Sequence, residues 1–324
     1  MSFGTKVTLN TGAQIPTLGY GTWQASPGEV GIGVYEALKV GYRHLNNSYG
    51  NQVEVGDGLH KALAEVPGLK REDIFIVSTP RYPNALMLNA GSINPLVDFQ
   101  AMEYLYLVHW PVAFKKVDDV QMFPMAAEDS NEVVIDDSVS LVETWTAMTN
   151  LPKSKVRAIG VSNFSPAYLQ TIIDATGVTP AVVQVERHPL LQQDDALIKY
   201  ARDKGIHITG YSAFGNNAWG EPLLIENDTI KGIAGRIGAT PAQVILAWSQ
   251  VGGHSVIPKS VNPARIRANF QEVRLSDEDI SAINALGGSP RRYNVATCYK
   301  PKWDINIWNE PKEQGAKHRV IQVK

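Results

Sequence analysis

The amino-acid sequence predicts an α/β fold: a (β/α)8 TIM barrel with an N-terminal β-hairpin in front and a long C-terminal loop behind. Three observations predict it. Eight short β-branched or aromatic runs recur, at residues 18–23, 42–45, 74–78, 104–110, 156–162, 182–186, 207–212 and 255–260. Most are nearly continuous apolar stretches, as parallel strands buried on both faces require. Helical patterns separate them, and parallel strands need such crossovers before eight can close into a barrel. A single domain is expected over residues 1–324, with the hairpin at 6–16, the barrel at about 17–290 and the loop at 291–324.

Each element has a local reason. Val7 to Ile15 reads as a hairpin with Gly12 in its turn, set before the barrel as a plug. Ser26-Pro27, Ser165-Pro166 and Thr240-Pro241 each place an N-cap hydroxyl ahead of a first-turn proline, so a helix is expected from each. After Thr240, the residues Val244, Ile245, Trp248 and Val251 fall on one face of a 3.6-residue period. Between the third and fourth strands, Pro83, Gly91 and Pro95 interrupt any long helix, so a short or irregular one is expected within residues 80–99. The tail carries Tyr293, Tyr299, Trp303 and Trp308 without a period and reads as an ordered loop.

Bulk composition narrows the function classes. The 324 residues are 44% apolar and 19% charged, enough for an ordinary core and too apolar for disorder. A net charge of −2 argues against nucleic acid or an anionic membrane as partner. The one cysteine, Cys298, excludes an internal disulfide and a cysteine-cluster metal site, so no metal is expected. No charged-then-apolar leader or membrane-length apolar run is present, which points to a cytoplasmic protein. A monomer or weak homodimer acting on a small molecule is expected.

The most informative stretch runs from 257 to 269. Lys259 and Ser260 follow the end of the last apolar run, Asn262-Pro263 starts a helical pattern, and Arg265 and Asn269 lie within it. A strand end followed by a helix start gathers free N–H groups, which favours an anion. Lys259 adds a point charge there and Arg265 a planar fork suited to phosphate.

Taken together, the words Gly19-Tyr20-Gly21-Thr22-Trp23, Gly41-Tyr42-Arg43-His44, Leu107-Val108-His109-Trp110-Pro111, Gly160-Val161-Ser162-Asn163-Phe164, Gln184, Tyr211-Ser212 and the 257–269 stretch resemble the aldo-keto reductases over about residues 5–310. The resemblance implies a barrel that binds NADP(H) without a Rossmann motif and reduces aldehydes and ketones by hydride transfer. It implies that Lys259, Ser260, Val261, Asn262, Arg265 and Asn269 hold the adenosine 2′-phosphate and adenine. Ala268 stands where the family often has an acidic residue, which removes one adenine contact. Ser162, Asn163 and Gln184 would bind the nicotinamide carboxamide, and Tyr211 would stack on its ring with Ser212 beside it. Thr22 and Trp23 would lie next to the cofactor and pocket.

The catalytic set implied by the resemblance is incomplete. The family uses a tyrosine acid, a lysine that lowers its pKa, an aspartate paired to the lysine, and a substrate-orienting histidine. A tyrosine titrates near ~10, so a neighbouring cation is what makes it a useful acid at neutral pH. His109 supplies the histidine, Tyr49 is the tyrosine candidate, Thr79 stands at the lysine position and Asn46 at the aspartate position. Loss of both partners is coherent, since one alone would be a buried unpaired charge. The spacing from His44 to Tyr49 is two residues shorter than usual in the family, and Arg81 is a possible substitute cation. His44 reads as structural.

Three readings stay open at the level of sequence. One is an NADPH-dependent oxidoreductase acting on a carbonyl, imine or conjugated group of a hydrophobic small molecule. The second is a barrel enzyme of altered or non-redox chemistry that retains NADP(H), and the third a non-catalytic nucleotide-binding regulatory barrel. Trp23, Trp110, Phe114, Trp219, Tyr293 and Trp303 favour a hydrophobic or aromatic substrate over a sugar acid.

Overall fold

A computed structural model describes residues 5–47, 51–79, 103–115, 123–125, 127, 130–154, 156–216 and 220–324. The hairpin strands β1 (Lys6–Thr8) and β2 (Gln14–Pro16) pair antiparallel, and Gly12 turns between them at φ 83°. Eight strands then run parallel in chain order: β3 (Tyr20–Gly21), β4 (His44–Asn47), β5 (Phe75–Ser78), β6 (Glu103–Val108), β7 (Val156–Ser162), β8 (Val182–Glu186), β9 (His207–Tyr211) and β10 (Ser255–Val256). Backbone bonds join the last strand to the first. Gly19 N–H donates to Val256 C=O at 2.8 Å, Val256 N–H to Thr17 C=O at 2.8 Å, and Gly21 N–H to Pro258 C=O at 2.9 Å. The expected (β/α)8 barrel is the observed fold.

Strand alternation sorts the core into two layers. Leu18, Tyr20, Leu45, Ile76 and Val256 face outward into a cluster with helix residues such as Val34, Leu59 and Trp248. Phe75, Val77, Leu105, Leu107, Ala158 and Val182 face inward and pack against Leu9 and Ile15 of the hairpin. The hairpin therefore does plug the barrel. His44 also faces inward, and a Cβ on Gly19 would meet its ring at 2.7 Å, so only glycine fits opposite it.

Nine α-helices are present among the described residues: α1 (Val30–Val40), α2 (Gln52–Glu65), α3 (Leu141–Thr149), α4 (Pro166–Thr176), α5 (Asp194–Asp203), α6 (Asp228–Ile237), α7 (Pro241–Ser249), α8 (Pro263–Asn269) and α9 (Asp277–Ala285). Ser165 caps α4 by accepting the Tyr168 N–H, and Thr240 caps α7 in a reciprocal pair with Gln243. Asn262 accepts the Arg265 N–H at the start of α8.

Several expected boundaries move. No helix starts at Ser26: Gly28 adopts φ 85°, outside helical space, and α1 begins at Val30. The second strand spans 44–47 rather than 42–45, because Tyr42 N–H still bonds back to Ala37 C=O as α1 ends. The last strand spans only Ser255–Val256; Ile257 N–H and Pro258 C=O still bond its neighbours, but Pro258 has no N–H to give. Val251 lies beyond the end of α7 and is 38% exposed, so the apolar face stops at Trp248. The tail is ordered, and it holds a short parallel pair, β11 (Ile305–Asn306) with β12 (His318–Arg319). The helix expected within 80–99 lies outside the described residues, as do Tyr49, Arg81 and Trp219.

Candidate active site

Inward positions at the C-terminal ends of the strands converge on a cleft of about 610 Å³, a size suited to a small molecule or cofactor group. Thr22, Trp23, Asn46, His109, Asn163, Gln184, Tyr211, Ser212 and Lys259 line it; period-two alternation accounts for Asn46, His109, Gln184, Tyr211 and Lys259, and the strand-end loops bring in the rest. Ser162 lies just beneath, 1% exposed, and Thr79 is buried at 7% exposure beyond the end of β5. Ser260, Val261, Asn262 and Arg265 continue from Lys259 into α8, outside the cleft lining, and Arg265 is exposed. Asn269 is buried at the end of that helix. Tyr49 lies outside the described residues.

One wall is a finished hydrogen-bond network. Ser162 Oγ donates to Gln184 C=O at 2.8 Å. Asn163 Nδ2 donates to His109 C=O at 2.9 Å and to Ser162 Oγ at 3.2 Å, and Tyr211 OH donates to Asn163 Oδ1 at 2.6 Å. Both Asn163 amide hydrogens are thus spent within the protein, leaving only oxygen lone pairs for a ligand. Thr22 is committed too, its Oγ1 donating to Asn46 C=O at 2.9 Å.

The floor is unfinished. Asn46 Nδ2 donates to Gln184 Oε1 at 3.1 Å, while Asn46 Oδ1 and Gln184 Nε2 have no partner among the described residues. The two residues are 2% and 3% exposed, so each unsatisfied atom costs roughly 1–3 kcal/mol until something bonds it. A donor and an acceptor side by side suit a primary carboxamide, so the residues fit a nicotinamide. This use of Asn46 was not evident in the sequence.

Electrostatics and strain mark the same place. Burial lowers the His109 pKa to about 4, so its imidazole is neutral at pH 7. Burial also lowers Lys259, with Glu29 opposing, and the Lys259 ammonium donates to Gln24 C=O at 2.8 Å. Gln24, Asn163 and Ser212 hold φ of 56°, 64° and 51° and all line the cleft. Such backbone costs energy that surrounding contacts must offset, and it concentrates at functional sites.

Sequence reasoning missed Glu186 and Asn294. Fully buried Glu186 accepts Tyr293 N–H at 2.8 Å, Asn294 N–H at 2.9 Å and His188 Nε2 at 2.9 Å. It thereby ties the C-terminal loop to the barrel mouth. Asn294 then lines the cleft and donates from Nδ2 to Ser212 Oγ at 3.3 Å. The available signal was a carboxylate two residues after Gln184, hence on the same inward face of an apolar strand. From that loop Tyr299 and Trp303 complete an aromatic wall with Trp110, their rings 5.9 and 5.5 Å from it. Among the described residues no cluster of His, Cys, Asp or Glu could hold a metal, and no helix is long and apolar enough to cross a membrane.

Comparison with known proteins agrees with the fold. The profile of the Aldo/keto reductase family matches residues 17–287. A D/L-glyceraldehyde reductase of Hypocrea jecorina is 55% identical, over 99% of this chain and 99% of that protein. A D-galacturonate reductase of the same organism is 38% identical, over 89% and 94%. The structure of aldose reductase from Giardia lamblia superposes with a TM-score of 0.82 at 35% identity, covering 91% of this chain and 98% of that one.

Proposed function

Because the chain belongs to the aldo/keto reductase family and is an oxidoreductase, we propose that it reduces the carbonyl of a small molecule with NADPH as hydride donor. The observation that carries this reading is the cleft itself: His109 and the Asn46–Gln184 amides at its floor, Lys259 at its rim. Lys259, Ser260 and Arg265 hold the 2′-phosphate, with Val261, Asn262 and Asn269 toward the adenine. Gln184 holds the carboxamide with Asn163 and Ser162 behind it, and Tyr211 presents its ring to the nicotinamide, its hydroxyl anchored on Asn163.

Reduced nicotinamide, when bound, supplies a hydride to the carbonyl carbon. The chain's part is to exclude water, orient the carbonyl and deliver a proton to its oxygen. Neutral His109 serves as a hydrogen-bond donor to that oxygen and is a poor source of the proton, since its conjugate acid persists only below about pH 4. Thr79 offers no ammonium to sharpen a tyrosine acid, so Tyr49 works at a disadvantage. General acid catalysis commonly contributes ~10²–10⁴-fold, and most of that is expected to be missing on ordinary aldehydes.

A second reading follows from the same two positions. With Thr79 and Asn46 in place of an ion pair, a cyclic imine or other activated acceptor that needs no strong acid becomes the better substrate. The relatives' names, glyceraldehyde reductase and galacturonate reductase, favour hydroxyaldehydes for the first reading. The aromatic wall of Trp110, Tyr299 and Trp303 suits the apolar face of either.

Consumption of NADPH measured with glyceraldehyde, xylose, benzaldehyde and a cyclic imine tests the proposal. Slow but enzyme-dependent turnover with glyceraldehyde supports the first reading, and faster turnover with the imine supports the second. No oxidation of NADPH with any of them would remove both.

A further inference from the structure

We infer that Asn46 is a positioning residue for the nicotinamide: it holds the Gln184 amide across the barrel mouth so that one donor and one acceptor face the cleft together. The inference rests on the proposed nucleotide reading and deepens it.

The two residues come from opposite sides of the barrel. β4 and β8 are four strands apart in an eight-stranded sheet that closes on itself, so a 3.1 Å bond between their side chains spans the axis. It forms the floor of the cleft, and among the described residues no other side chain completes it: Asn46 Oδ1 and Gln184 Nε2 are both buried without a hydrogen-bond partner there.

Amide chemistry then fixes what the floor can accept. Each primary amide has one carbonyl oxygen and two N–H donors. With Asn46 Nδ2 bonded to Gln184 Oε1, the remaining pair is an oxygen on one residue and an NH2 on the other. Turning both amides end for end exchanges their owners but leaves one of each. A ligand carboxamide offers the matching NH2 and oxygen. An aspartate at 46 would act differently. It is acceptor-only when ionised, so it would take one N–H of the Gln184 amide and leave Gln184 alone to present both an oxygen and an N–H. Without a lysine at 79, that aspartate would also be a buried charge lacking the family's partner. A neutral amide at 46 is therefore consistent with Thr79, and it has a task of its own.

The test compares two nucleotides on the intact chain. NADP+ carries the carboxamide, whereas 2′,5′-ADP carries the phosphate and adenosine without the nicotinamide. Affinities are measured by calorimetry for the unaltered protein, for Asn46→Leu and Gln184→Leu, and for the double variant Asn46→Leu/Gln184→Leu. Asn46→Leu is expected to weaken NADP+ roughly tenfold, the scale of one or two hydrogen bonds, and to leave 2′,5′-ADP unchanged. The double variant is expected to bind NADP+ no more weakly than Gln184→Leu alone, because the two residues act as a unit.

Equal loss of both nucleotides in the variants means that Asn46 merely supports the fold, which overturns the inference. Unchanged NADP+ affinity, or strictly additive losses in the double variant, overturns it as well. If the unaltered protein binds neither nucleotide, the nucleotide reading fails and takes this inference with it. Binding of 2′,5′-ADP and NADP+ together with indifferent variants leaves that reading standing and removes only the role of Asn46.

Discussion

At the scale of single residues, the mouth of the barrel turns on a few charges and amides. Lys259 stands at the cleft rim and Arg265 on the exposed start of α8, so a 2′-phosphate that met both would gain charge-assisted bonds worth about 1.5–3 kcal/mol. The chain is accordingly expected to bind NADPH at least tenfold more tightly than NADH, and Arg265→Ala to shrink the difference; equal affinities by calorimetry would refute the assignment of this loop. A second expectation concerns Thr79 and Asn46. Asn46 registers with Val77, so Thr79 lies one inward step further up the neighbouring strand. Thr79→Lys alone buries an ammonium and should lower the melting temperature, whereas adding Asn46→Asp should restore it. If the double variant regains stability and aldehyde reduction, Tyr49 reaches the reacting oxygen. Stability without activity would place the fault in the shortened segment before Tyr49, and additive melts would mean that the two positions do not face each other.

At the scale of elements, what the sequence revealed follows from the range of the forces involved. Ser165, Thr240 and Asn262 were readable as caps because capping joins residues three apart. Ser26 carried the same local pattern and failed, because Gly28 takes a left-handed turn that breaks the helical run. His109, Gln184 and Tyr211 were legible because alternation along a buried strand fixes which side chains enter the barrel. The Asn46–Gln184 bond was not, since its partners are 138 residues apart and meet only when the sheet closes. Glu186 shows the same limit: its partners Tyr293 and Asn294 arrive from the tail. Burial pushes the Glu186 carboxyl pKa up, but the His188 bond and charge, the Tyr293 N–H and the Arg292 charge outweigh it and hold it low. Glu186→Gln keeps the volume yet points an NH2 at groups that are themselves donors. It is expected to cost on the order of 2 kcal/mol and to free the C-terminal loop for proteolysis. Unchanged melting together with unchanged protease resistance after Arg291 would show that this carboxylate does not anchor the loop.

At the scale of the whole molecule, the polar interior of the barrel sets how the protein meets acid. His44 and His207 both lie inside, below the cleft. His44 Nδ1 bonds Pro16 C=O at 3.1 Å and His207 Nε2 bonds Ser255 Oγ at 2.7 Å, which links both rings to the plugged end. Desolvation is the main cause that lowers their pKa values, to about 4 and about 3 from an ordinary 6.5, and for His207 the nearby His254 and His44 add to it. The sign follows from proton counts. Above about pH 6.5 both rings are neutral folded or unfolded, and stability is at its full value. As pH falls from there toward 4 the unfolded chain takes up protons that the folded barrel refuses, so stability drops by up to roughly 1.4 kcal/mol per pH unit for each histidine. Glu186, held low in the folded state, contributes stability that goes in the same direction only at more acid pH, below the ordinary carboxylate range. The melting temperature is therefore expected to fall steadily between pH 7 and pH 5, before carboxylates titrate. His207→Gln, which can still bond Ser255 but takes up no proton, should flatten that slope even if it lowers stability at pH 7. A melting temperature level from pH 7 to pH 5 would mean that the interior histidines are protonated without opening the barrel, and a slope unaltered in His207→Gln would mean that His207 has no part in it.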